Sequence, residues 1–424
     1  MIKRALVLLV VFAALPVRAA VVLVGDELVV KDGRPNNEHS PVLGFAADNH
    51  GLVVWTDSND GLRGRLVAPN GSLAPGDLLL VGNDRLPRLP GEGTEIYRKD
   101  PALLMRGDGT FWLFWTEETQ HVDIDFFHER RNVLDRDVYG QRFDPSGQPA
   151  GPARRLNTAP TGFQSRPQAQ ALACPQLPCD APPFVVAWES DDGSPGSAAG
   201  EGIVAQLFDG AGAALSPQAR LSPPSLAQNV ELGPGPQGGL VAAWEAPDDA
   251  KPRTILRARF FKAALQPLGK SFALSPTTPG SQRRVNLEWS EANGEATAIF
   301  DRTMTATGRY RIMAQRIAAP TRVVGEPFSV SGGMAEAPSR SVLTPAGSVL
   351  ALWVSWRGSY PFALQGKELG GKIAGPGAEL EVAQWPRNDL AVEAAPSGRM
   401  LAVWEGWVSG LRQGIVARWL EQVP

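Results

Sequence analysis

The chain has 424 residues, 43% of them hydrophobic, and its 41 Lys and Arg against 44 Asp and Glu leave a formal net charge of −3. So even a balance supplies no polybasic face, which argues against nucleic acid or anionic lipid as a partner. The 45 Gly and 37 Pro suit a turn-rich, all-β chain.

Residues 1–20 read as a secretory signal peptide. Lys3 and Arg4 precede the apolar run Ala5 to Leu15, and Val17-Arg18-Ala19-Ala20 supplies small residues for cleavage. The run is shorter than the roughly 20 residues a membrane span needs. No cysteine follows it, so a lipid anchor at that point is excluded. The mature protein is expected to start near Val21, secreted or periplasmic, with no membrane span.

The rest of the chain, residues 21–424, is organised by one stretch written seven times. The copies are Leu52-Val53-Val54-Trp55, Trp112-Leu113-Phe114-Trp115, Val185-Val186-Ala187-Trp188, Val241-Ala242-Ala243-Trp244, Ala296-Thr297-Ala298-Ile299-Phe300, Leu350-Ala351-Leu352-Trp353 and Leu401-Ala402-Val403-Trp404. Such runs read as strands buried on both faces, because a half-exposed strand would alternate apolar with polar residues. The aromatic anchors recur every 51 to 73 residues. A period near 50 with four strand-sized pieces predicts a β-propeller blade, and one blade cannot bury its own faces. The length therefore predicts a single domain.

Within each copy the pieces follow in order A to D. Strand A begins at Ser40-Pro41-Val42-Leu43 in the first copy and at Asp100-Pro101-Ala102-Leu103 in the second. Strand B carries the anchor. Strand C is Leu62 to Val67, then Val138-Tyr139-Gly140-Gln141-Arg142-Phe143 followed by Asp144-Pro145-Ser146-Gly147. This wording, after a Val-Val-x-Trp strand, resembles a repeat found in many secreted bacterial β-propellers. The resemblance covers nearly the whole mature chain and implies a secreted propeller. It implies no particular reaction and brings no catalytic residues.

The seventh copy ends after Arg418-Trp419-Leu420 with too few residues for a strand D. The segment Gly25 to Val30 is similar to Gly325 to Val330 and Gly377 to Val382. The N-terminal segment is thus expected to supply the outer strand of the last blade, giving seven blades in a closed ring.

Two recurring polar sets are expected to be structural. Strand C carries Arg65, Gln141, Gln206, Arg259, Gln315, Gln365 and Arg418, with Leu364 replacing the usual Gly or Ala in copy six. Glu189, Glu245, Asp301 and Glu405 follow the anchors. Cross-hairpin facing predicts the pairs Glu245–Arg259 and Glu405–Arg418.

Departures from the repeat carry the candidate chemistry. Gly82 to Arg98 and Thr116 to Asp137 read as two neighbouring loop insertions on the face where D–A and B–C connections open. The second places His121, Asp123, Asp125 and His128 as a possible divalent-cation set, although a solvated acidic loop without cofactor is the simpler reading. On the same face Trp356, Tyr360, Trp385 and Trp407 are candidate ligand-binding aromatics, suited to sugar rings or a protein partner. Asp100, Arg166, Arg284 and Asp389, at the starts of strand A, could face the central channel. Cys174 and Cys179 are expected to form a local disulfide in an oxidising compartment.

The Ser-x-Asp-x-Gly-x-x-Trp box of sialidases and the Gly-x-Ser-x-Gly motif are both absent. The expectation is an exported monomer that binds a protein or carbohydrate ligand through its loop-rich face. The alternative is a glycan-active enzyme or lectin.

Overall fold

The structure, a computed structural model, describes residues 20–32, 38–85, 91–124, 128–158, 162–174, 181–191, 202–223, 226–276, 279–304, 310–332, 335–355, 362–369, 379–384, 386–409 and 412–423. It is a seven-bladed β-propeller of four-stranded antiparallel blades. Blade 1 is built from Glu38–Phe45, Gly51–Asp57, Gly61–Val67 and Leu78–Gly82, lettered A to D from the channel outward. Each A strand packs on the A strands of both neighbouring blades, so seven of them line a central channel.

The anchors are the reason the blades stack. Trp55, Trp115, Trp188, Trp244, Phe300, Trp353 and Trp404 are all at most 1% exposed, and each sits in a buried stretch of its B strand. Burying a side chain of this size contributes on the order of 1.5–3 kcal/mol. Opposite the residue before each anchor, strand C holds a small residue: Gly64, Gly140, Ala205, Ala258, Ala314, Gly366 and Ala417. A Cβ at Gly140 would meet the Phe114 ring at 2.7 Å, and one at Gly366 would meet Leu352 at the same distance.

The ring closes as the sequence predicts. Ala20–Asp32 pairs antiparallel with Arg412–Val423 as strand D of blade 7, with Val24 opposite Trp419 and Val29 opposite Val416. Val30 enters a core shared with Val53, Trp55, Leu401 and Ile415 of blades 1 and 7.

Three expectations need correction. Residues 91–98, 116–124 and 129–137 of the two insertions are strand rather than loop, because strands A, B and C there are Gly91–Met105, Phe111–Ile124 and Glu129–Phe143, in register out to Gly91–Ile124 and Ile124–Glu129. They rise beyond the other blades as a three-stranded sheet. Its polar residues pair internally: Glu118, 3% exposed, accepts Lys99 Nζ and Arg136 Nε at 2.6 Å each. Glu95 is gripped by Arg131 and by the Tyr97 hydroxyl, and Arg85 and Arg131 both lie over the Tyr97 ring.

The pairs Glu245–Arg259 and Glu405–Arg418 do not form. Glu245 lies opposite Leu256 and Glu405 opposite Ile415, while Arg259 and Arg418 lie opposite Ala242 and Ala402. Strand C instead caps its own C–D turn: Arg65 Nε donates to Ala74 O at 2.9 Å, Gln141 to Gly151 O, Gln206 to Ser216 O and Arg259 to Gly269 O at 2.8 Å each. Gln315 reaches Val324 O and Gly325 O in the same way.

In blade six this position belongs to Lys367, not Gln365. The alignment by Leu364 is two residues out, because Gly366 is the small residue opposite Leu352. Lys367 Nζ donates to Val330 O of blade 5 at 3.2 Å. Arg65 reaches Val30 O and Arg418 reaches Val382 O, each on the outer strand of the blade before.

Candidate functional site

Six of the seven innermost strands share one irregularity. Ser40, Asp100, Arg166, Asn229, Arg284 and Asp389 hold φ between 43° and 53°, each inside a bulge where the A–B register shifts. Residues with a side chain disfavour this left-handed region by about 1–2 kcal/mol. The compensation is a bond to the neighbouring blade. Arg166 N donates to Thr116 Oγ1 at 2.9 Å, Asn229 N to Glu189 Oε1 at 2.6 Å and Arg284 N to Glu245 Oε1 at 3.0 Å. In blade six the bulge contains Pro338, which has no N–H, and the Ser339 hydroxyl donates to Asp301 Oδ1 at 2.8 Å instead. Acids after the anchors are therefore latches between blades rather than within them.

The backbone of this ring repeats and its side chains do not. On blades 3 and 5 it is basic. Arg166, 52% exposed, holds Nη1 at 3.3 Å from both Glu189 oxygens and from Asn229 Oδ1. Arg284 places Nε 2.9 Å from Asp301 Oδ2, off the N–H direction, so the contact is an ion pair rather than a hydrogen bond. Its guanidinium lies 5.3 Å from the Tyr310 ring centroid. Burial pushes the Asp301 carboxyl up to about 6, against the opposing pull of Arg284 and Ser339. Arg340 follows on blade 6, its Nη1 donating to Ser339 O at 3.0 Å.

On blades 7 and 1 the ring is acidic and hydroxylic. Asp389 accepts Ser40 N at 2.8 Å and Ser40 Oγ at 3.3 Å. His39 Nδ1 lies 3.2 Å from Ser40 Oγ, and its Nε2 lies 3.3 Å from Ser58 Oγ. The carboxylate reaches the imidazole only through a hydroxyl. The order thus differs from a Ser–His–Asp triad, and the chain braces blade 7 against blade 1.

Further along the channel are three carboxyls that sequence reasoning missed, Glu231, Glu288 and Glu393 on blades 4, 5 and 7. Burial pushes Glu288 up to about 8, helped by the charges of Glu393 and Glu231, although the Ser341 hydroxyl donates to it at 2.9 Å. Desolvation by the surrounding protein pushes Glu231 up to about 7 against the pull of Arg340, and it raises Glu393 as well. The Glu393 side chain is exposed, so solvent screening weakens the effect of its shift. A polar cleft of about 170 Å³ lies on the loop-rich side of blades 2 to 4, lined by Arg136, Phe163, Ser165, Glu189, Asp191 and Gln228.

Of the ligand-binding aromatics proposed from the sequence, Trp407 is half-buried on strand B of blade 7, whereas Trp356, Tyr360 and Trp385 lie outside the described residues. His121 and Asp123 fall on the blade 2 extension, and His121 Nε2 is 3.8 Å from Glu92 Oε2. His128 is exposed, and Asp125 lies outside the described residues. Among the described residues no group of three or more His, Cys, Asp or Glu side chains is arranged to hold a metal ion. Cys174 is described and Cys179 is not. Asp100, Arg166, Arg284 and Asp389, the four residues expected at the channel from the sequence, all belong to this ring, and Ser40-Pro41, Asp100-Pro101 and Arg166-Pro167 repeat a residue–Pro pair at three of its bulges.

No known protein family and no characterised protein matches the sequence. Solved structures do match in shape. A protein of unknown function from Dyadobacter fermentans aligns with a TM-score of 0.56 at 13% identity, over 95% of this chain and 99% of that one. A fungal alcohol oxidase solved with copper gives 0.51 at 10% identity, over 93% and 75%. The intramolecular trans-sialidase of Ruminococcus gnavus gives 0.49 at 8% identity, over 93% and 96%. At these identities the likeness is one of fold.

Proposed function

We propose that the protein is an exported binding module that engages a carboxylate-bearing saccharide at the basic arc of its channel mouth. The observation that carries this reading is the ring of bulges, where one strained backbone presents different side chains on each blade. A purely structural repeat has no need of that variety, and strain of this kind gathers at functional positions. Arg166 and Arg284 are both partly exposed and each is oriented by a carboxylate at its side. Planar guanidinium groups suit bidentate recognition of a ligand carboxylate. Among the described residues no helix is long and apolar enough to cross a membrane.

The test is a titration of the mature protein with hexuronic-acid oligosaccharides and with neutral ones of equal length. Binding of the acidic series alone, weakened about tenfold or more by Arg166→Ala and by Arg284→Ala, is expected. Equal affinity for both series would overturn the reading.

A glycan-active enzyme is the second reading, supported by Glu288, which stays protonated near neutral pH beside Glu231 and Glu393. Glycosidases need such an acid with a second carboxylate. Release of reducing ends by the wild type, abolished in Glu288→Gln, is the result it requires.

A further inference from the structure

On the face opposite the channel mouth, A–B and C–D turns of adjacent blades meet in grooves, and two of these are sealed by an indole. Between blades 7 and 1, Trp419 donates Nε1–H to Gly71 O at 2.9 Å, stands 5.7 Å from Phe45, and carries the Arg399 guanidinium 4.4 Å above its ring. Between blades 2 and 3, Trp112 lies so close to Gly212 that a Cβ there would be 2.4 Å from the ring. Arg106 donates to Gly210 O beside it. Gly71 and Gly212 hold φ of 89° and 87° at the same place in the C–D turn.

The groove between blades 1 and 2 has the matching turn glycine, Gly147 with φ of 83°, and no indole in its lining. Leu66 stands where blade 7 has Trp419, since it lies opposite Leu52 as Trp419 lies opposite Leu401. Leu52 in turn stands where blade 2 has Trp112. Beside Leu66 lies a cavity of about 460 Å³, walled by Ala46, Leu66, Met105, Phe111 and Pro145. That is the volume of a small-molecule site.

The rim of this groove carries two carboxylates. They are Asp48 and Asp108 from the two A–B turns, with His50 beside Asp48 at 2.7 Å. Hydrogen bonds from His50 hold the Asp48 carboxyl below the usual range. Desolvation raises that of Asp108, but hydrogen bonds from Thr110 and the charge of Arg106 bring it below as well. Both are ionised at neutral pH.

We infer that the groove between blades 1 and 2 binds a small aromatic cation, its ring filling the space that Trp419 occupies one groove away and its amine facing Asp48 and Asp108. The site is separate from the channel mouth and does not depend on the function proposed there. Apolar walls desolvate the ring, and the two carboxylates select the charge.

Tryptamine is the probe, compared by calorimetric titration with neutral 3-ethylindole and anionic indole-3-propionate. Tryptamine is expected to bind about tenfold or more tightly than the anion. Leu66→Trp, which supplies the missing indole from within, should abolish binding while leaving the melting temperature unchanged or raised. Should Leu66→Trp fail to fold, the exposed pair Asp48→Asn and Asp108→Asn carries the test and should erase the preference for the cation. Undetectable tryptamine binding to the wild type, undiminished binding by folded Leu66→Trp, or a charge preference that survives the double Asn variant would each overturn the inference.

Discussion

The Ser40 N–H donates to Asp389 Oδ2 at 2.8 Å although 349 positions separate the two residues. This bond joins blades 1 and 7 at the channel, Trp419 Nε1 joins them again at Gly71 O, and the strand Ala20–Asp32 completes blade 7 at the rim. The contact between the first and last blades thus runs through the whole radius of the ring.

Deleting Val21 to Val30 should therefore be severe. It removes Val30 from the shared core and Leu23, Val24 and Leu28 from their partial burial, each contributing on the order of 1.5–3 kcal/mol when fully buried. The deletion also bares the edge of Arg412–Val423 to other chains. A domain retains only about 5–15 kcal/mol in total. Thermal melting and light scattering of the truncated protein should reveal early unfolding and aggregation. A melt like that of the mature protein would mean that the N-terminal strand does not close the ring.

Glu245 tests the inter-blade latch. It is 1% exposed, and in Glu245→Ala the Arg284 N–H loses its acceptor. Leaving such a donor unsatisfied costs about 1–3 kcal/mol. Glu245→Gln keeps an acceptor oxygen and should recover much of the loss. Urea denaturation of the pair measures it, and equal stability of the two variants would argue against the latch.

Arg259 tests the strand C cap. Gln performs the same task in blades 2, 3 and 5, so Arg259→Gln should be close to neutral. Arg259→Leu abandons the Gly269 carbonyl and should cost about 0.5–1.5 kcal/mol. If the Gln variant is as destabilised as the Leu variant, the charge matters more than the hydrogen bond.

The channel carboxyls set the pH dependence. Glu231 and Glu288 are raised from 4.5 in the unfolded chain to about 7 and 8, while the exposed Glu393 is raised with a weaker effect under solvent screening. The native state binds more protons across that window, so their contribution is fully present below about 4.5 and is lost as pH rises through 7 to 8. Asp301, raised to about 6, acts in the same direction. Melting temperature should fall from pH 5 to pH 8.5, and Glu288→Gln should flatten the upper part of that fall. A wild-type melting temperature that rises over this range would contradict these shifts.

What the sequence determined by itself was the ring: seven buried runs, their spacing, the turn glycines and the outer strand missing from the last copy. These signals are local and repeated, and burial on both faces leaves an apolar run few alternatives. Tertiary structure alone decided which residues meet. Glu245 and Arg259 seemed to face one another across a hairpin, but pairing register sets them apart, and the Arg284 bulge brings another blade's N–H to the carboxylate. Lys367 took the place assigned to Gln365 because a two-residue slip keeps every side chain on the same face of the sheet and so leaves no trace in alternation. Thr116 to Asp137 read as a loop because its polar residues find partners only within the extended blade 2 sheet, as Glu118 does with Lys99 and Arg136. The channel carboxyls and the open groove beside Leu66 depend on how neighbouring blades converge. That convergence is a property of packing between distant segments, which no local pattern encodes.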